Sequence, residues 1–174
     1  MTPSATASDT TGDGLQIWST ELADPDATTH LARAFSTLAR SGMCILLEGP
    51  VGAGKSFFAR ALIQTLMAKN GGLEDVPSPT FTLVQSYELG QLDVWHADLY
   101  RLTSSDELIE LGLDDAFETA LCLIEWPERL GDLRPEHAIE LTLTPDLHDL
   151  TLRHAQITAP VETINSLKKA MESS

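Results

Sequence analysis

The eight residues Gly49-Pro50-Val51-Gly52-Ala53-Gly54-Lys55-Ser56 follow the spacing G-x-x-x-x-G-K-[ST] in full. Each position has a chemical use. The glycines let successive backbone N–H groups wrap round phosphate oxygens, and a helix that starts after the last glycine adds the positive end of its dipole. Lys55 can reach the outer phosphates of a nucleotide. Ser56 can offer its hydroxyl to magnesium, whose octahedral shell is otherwise filled by phosphate oxygens, water and an acidic side chain. The whole stretch 49–56 is therefore expected to bind ATP with Mg2+ and to support its hydrolysis.

An acidic partner for the metal should stand at the end of a buried strand. Two candidates meet that condition: Asp98, after Leu92-Asp93-Val94-Trp95-His96-Ala97, and Glu125, after Leu121-Cys122-Leu123-Ile124. Spacing alone does not choose between them. His96 alternates with Asp98 onto the same strand face, where a histidine is more often structural than a proton carrier. Arg101 suits an ordinary salt bridge. His137, His148 and His154 have no metal-binding spacing, and Cys44 and Cys122 lie in apolar runs where a thiol behaves as a small hydrophobe.

The elements that must hold these residues can be read from periodicity. Asp24-Pro25 reads as a cap and first helical position, and Ala27, Leu31, Ala34, Phe35 and Leu38 continue a helix that Gly42 stops. Residues 43–47 form a continuous apolar run, which predicts a strand feeding the phosphate loop. A helix over 56–69 follows, with Phe58, Leu62 and Leu66 on one face. Strands are expected over 81–88 and 92–98, joined at Gly90-Gln91, then two short helices, the first opened by Ser104 and Glu107 and the second capped by Asp114. Residues 121–124, 138–143 and 150–157 read as strands, and Val161, Ile164, Leu167 and Met171 mark a final helix. The expected fold is an α/β, P-loop NTPase-like three-layer domain with a mixed central sheet over 15–174. Residues 1–14, nearly all small or polar, are expected to be a disordered tail.

The chain has 174 residues, with Lys+Arg 11 against Asp+Glu 26 and a net charge of −15. Such a surface repels phosphate backbones, so strong unaided nucleic-acid binding is not expected. No apolar run approaches the roughly 20 residues of a membrane span, and no signal-peptide pattern opens the chain. A cytoplasmic protein without membrane contact is the expectation.

Four motifs stand in a fixed order: the phosphate loop, Ser78-Pro79-Thr80-Phe81-Thr82-Leu83-Val84, His96-Ala97-Asp98-Leu99-Tyr100-Arg101-Leu102, and Ile124-Glu125-Trp126-Pro127-Glu128. Together they resemble the bacterial TsaE family, ATPases of tRNA threonylcarbamoyladenosine (t6A) synthesis. The resemblance runs over roughly residues 26–130; Pro50-Val51 departs from the family's commoner loop residues at positions that mainly shape the turn. It implies that Lys55 and Ser56 meet phosphate and Mg2+, that Thr80 is a switch-like threonine, and that Asp98 and Glu125 are the two functional acids. Glu125 then becomes the expected Mg2+ ligand and Asp98 the group that positions water or nucleotide. Thr28 and Trp126 are similar in place to residues near the family's bound nucleotide. The resemblance also implies weak ATP hydrolysis by the chain alone and partnership with TsaD and TsaB. Rival readings are a small-molecule P-loop kinase and a nucleotide-gated adaptor in which hydrolysis is incidental.

Overall fold

The computed structural model describes residues 6–79 and 81–173. Eight strands form one sheet: β1 (Thr6–Thr10), β2 (Leu15–Leu22), β3 (Cys44–Glu48), β4 (Val84–Leu89), β5 (Leu92–Asp98), β6 (Leu121–Glu125), β7 (Ile139–Pro145) and β8 (Arg153–Pro160). They lie in the order β1-β2-β8-β7-β3-β6-β5-β4. The middle four, β7-β3-β6-β5, are parallel, and the pairs outside them are antiparallel. The apolar runs of β3 and β6 are buried on both faces, as a parallel centre requires.

Helices cover both sides of this mixed sheet. Leu31 and Phe35 of α1 (Pro25–Ser36), Phe58 and Leu62 of α2 (Lys55–Lys69), and Ile164 and Leu167 of α5 (Val161–Glu172) pack in one cluster with Ile45, Leu47 and Leu123. Phe35 and Phe58 meet edge to face at 5.3 Å. On the other side, Leu108 of α3 (Asp106–Glu110) and Leu113 and Ala116 of α4 (Leu113–Thr119) pack on Leu46, Cys122 and Ile124. The fold is thus the three-layer α/β arrangement that the periodicity indicates. Cys44 and Cys122 are neighbours in the β3–β6 register, and burial raises both thiols, Cys122 to about 12, so neither is a ready nucleophile.

Several local expectations differ from the structure, each for a physical reason. The stretch expected to be a tail contains β1, whose backbone pairs with the edge of β2 although its sequence, Thr-Ala-Ser-Asp-Thr, is small and polar. β2 has no plain strand signal in the sequence: its buried face alternates Gln16, Trp18, Thr20 and Leu22, two polar residues among two apolar ones, which blurs the period-two pattern. β4 begins at Val84 rather than Phe81 because Leu83, at φ 64°, leaves the extended region. α1 ends at Ser36, well before Gly42, where the Ser36 and Thr37 hydroxyls bond the Arg33 and Ala34 carbonyls. Glu107 accepts from Thr103 instead of closing a capping box with Ser104, and α4 is entered through Gly112 at φ 80°, which leaves Asp114 inside its first turn.

Candidate functional site

β3 delivers the chain to the C-terminal edge of the parallel strands, where ligands of open α/β sheets bind. Gly49 sits at φ 140° against β7, and a Cβ there would collide with the Leu143 carbonyl. Gly52 and Gly54 also take positive φ, and Gly54 enters α2 without a side-chain cap, leaving that helix N-terminus open to an anion. Lys55, only 5% exposed, turns back so that Nζ donates to the Gly49 carbonyl and, at 3.3 Å, to the Pro50 carbonyl. Burial lowers the pKa of its ammonium, an effect opposed by Glu125, Glu128 and Asp98.

Register brings the two acids together. Asp98 ends β5 and Glu125 ends β6, and the two are direct partners across the parallel ladder. Ser56 Oγ donates to Glu125 at 2.9 Å from each carboxylate oxygen. His96 Nε2 lies 2.7 Å from Glu125 Oε1. Asp98 accepts instead from the Tyr100 backbone N–H at 3.1 Å, and its carboxyl is raised above the ordinary 3.8, first by burial and further by Glu125, with the Tyr100 bond acting the other way. The residue after Glu125, Trp126, takes a left-handed φ of 60° that swings its ring to 3.6 Å from Lys55 Nζ and 4.9 Å from the Tyr100 ring.

The result is a cavity of about 430 Å³ lined by residues 50–57 together with Asp98, Tyr100, Arg101, Glu125 and Trp126. The sequence model of the family described as "Threonylcarbamoyl adenosine biosynthesis protein TsaE" matches residues 22–154. The chain belongs to the TsaE family. A Rickettsia bellii tRNA threonylcarbamoyladenosine biosynthesis protein TsaE is 39% identical over 124 residues, 71% of this chain and 84% of that one. Its Bacillus subtilis namesake is 33% identical over 121 residues, 69% of this chain and 73% of that one. The crystal structure of Bacillus subtilis YdiB superposes with a TM-score of 0.70 at 24% identity, over 91% of this chain and 96% of the other, a likeness of fold. TsaE membership places the chain in t6A biosynthesis, and together with the P-loop-like fold it implies nucleotide binding. No helix among the described residues is long and apolar enough to cross a membrane.

Of the residues singled out in the sequence, Pro50, Val51, Gly52, Ala53, Gly54, Lys55, Ser56, Asp98, Glu125 and Trp126 share the cavity, while Gly49 is outside its lining, packed against Leu143 and Ala53. Thr28 is buried elsewhere, in a hollow of about 260 Å³ that shares Ala53, Gly54 and Phe57 with the main cavity and adds Leu150 and Arg153. Thr80 lies outside the described residues. The lining residue Phe57 carried no signal beyond adjacency to the phosphate loop, and Tyr100 none beyond its place inside the third motif. Arg153, whose guanidinium reaches the Gly52 carbonyl at 3.4 Å, comes from a strand a hundred residues away in sequence and had none.

Proposed function

We propose that this TsaE-family chain binds ATP with Mg2+ at residues 49–56, hydrolyses it slowly by itself, and serves TsaD and TsaB as they transfer a threonylcarbamoyl group to the adenosine beside a tRNA anticodon. The observation that carries the reading is the Ser56 hydroxyl aimed at both oxygens of Glu125, with Asp98 in register beside it. A hydroxyl and a carboxylate meeting at the first turn of this helix suit a small, hard cation that also takes phosphate oxygens and water.

In this reading Ser56 and Glu125 hold Mg2+, which supplies charge neutralisation at the phosphate oxygens. Lys55 exchanges the Gly49 and Pro50 carbonyls for the outer phosphates, and the open N–H groups of the loop bind the rest of the chain of phosphates. Asp98 positions the water or the nucleotide. Trp126 and Thr28 border the nucleotide on either side of the loop, and Thr80 serves as the switch-like threonine. A kinase would need arginines free to close over a transferred phosphate; Arg134 is instead bridged to Glu140 at 2.7 Å and Glu48 at 3.1 Å, and Arg101, in the cavity lining, lies over the Phe81 ring at 5.0 Å. The test is mass spectrometry of digested tRNA. Cells depleted of the chain should lose t6A and regain it with the wild-type chain but not with Lys55→Ala; unchanged t6A, with no second ATPase compensating, would remove the assignment to this pathway step.

A further inference from the structure

We propose that His96 is a positioning residue that fixes the Glu125 carboxylate in the orientation Ser56 and Mg2+ share. The inference rests on the reading of Glu125 as the magnesium ligand. His96 is 1% exposed and points from the middle of β5 to the end of β6, where Nε2 meets Glu125 Oε1 at 2.7 Å. Its Nδ1 is buried and has no hydrogen-bond partner among the described residues. A hydrogen on Nδ1 would be stranded there, so the ring hydrogen sits on Nε2 and is donated to the carboxylate.

Two facts separate this from space-filling. First, an unpaired buried nitrogen is an unfavourable feature that an apolar side chain of similar size would avoid; the imidazole is worth keeping for the bond its other nitrogen makes. Second, the two acids are anchored differently. Asp98 is turned to its own loop by the Tyr100 N–H, whereas Glu125 is held by the imidazole with both oxygens left 2.9 Å from the Ser56 hydroxyl. Without the imidazole, a glutamate beside another carboxylate would lose the contact that keeps it facing Ser56. Donors behind a metal-binding carboxylate act in this way on ligand orientation.

The test compares His96→Gln, whose amide N–H replaces Nε2–H, with His96→Asn, whose shorter amide stops near the Nδ1 position. Binding of the non-hydrolysable analogue AMP-PNP is titrated calorimetrically in EDTA and across a range of MgCl2. In EDTA all three proteins should bind alike. The Mg2+ midpoint should rise about tenfold or more in His96→Asn and stay within about threefold of wild type in His96→Gln. Equal midpoints in the two variants would overturn the inference. A Glu125→Gln control separates the failures: if it leaves the Mg2+ midpoint unchanged, the metal-ligand reading falls and the role of His96 with it, whereas a raised midpoint there beside a normal one in His96→Asn sinks the role of His96 alone. If either His96 variant fails to fold, nitrogen-15 NMR of the wild-type imidazole still decides, since a hydrogen found on Nδ1 instead of Nε2 is incompatible with donation to Glu125.

Discussion

Burial opposes the charge on both Lys55 and Asp98, so each is held in its site at some expense to folding and each becomes easier to understand with phosphate and metal present. Lys55→Ala removes the one ammonium at the loop, and ATP affinity measured by calorimetry should fall by at least about tenfold, the loss of a charge-assisted contact worth about 1.5–3 kcal/mol. Because the folded Asp98 carboxyl lies above its ordinary 3.8, the folded chain binds the proton more tightly than the unfolded chain. Stability from this group is therefore present below the ordinary value and is lost as pH rises through the folded one. Asp98→Asn should raise the melting temperature at pH 7, with the gain vanishing below about pH 4, while hydrolysis falls; a variant less stable at pH 7 would reverse the sign. Lys55 and Ser56 were legible because their chemistry is written in one contiguous motif. The two acids were legible as strand ends but not distinguishable, since their separate anchors, His96 and the Tyr100 N–H, depend on β5–β6 register and on the path of the following loop.

Among the elements, those with a plain period declared themselves. β3, β6 and α2 did so through uninterrupted apolar patterns, and α1 through the Asp24 side chain, which accepts from the Ala27 N–H at 2.8 Å. Elements held by pairing rather than by their own composition did not. β1 and β2 are such strands, and β1 leaves its partner's edge exposed if removed. Deleting residues 1–10 should leave nucleotide affinity unchanged and lower the melting temperature only slightly, but should increase self-association at high concentration, as light scattering would register. The loop-bearing helix is the opposite case: Phe58 is fully buried against Phe35 one turn beyond Lys55. Phe58→Ala should destabilise the fold by about 3–5 kcal/mol in urea unfolding, and a loss below about 1 kcal/mol would mean that α2 is held mainly by other contacts.

At the scale of the whole molecule, the net charge of −15 sets the expected mode of action. Binding to a tRNA backbone draws on counterion release by clustered cations, and an acidic chain forgoes most of it. Direct affinity for tRNA should therefore be weak at physiological salt, and the influence on modification should pass through protein partners that sense the nucleotide. The family was legible from the order of four motifs, whereas Arg153 beside Gly52 and the Thr28 hollow emerge only once β8 and α1 are folded against the loop. The most direct measurement is phosphate release from ATP by the purified chain, with and without Mg2+ and with and without TsaD and TsaB. Slow, Mg2+-dependent release that rises with the partners and disappears in Lys55→Ala is the expected result; release that persists undiminished in Lys55→Ala would contradict hydrolysis at this site.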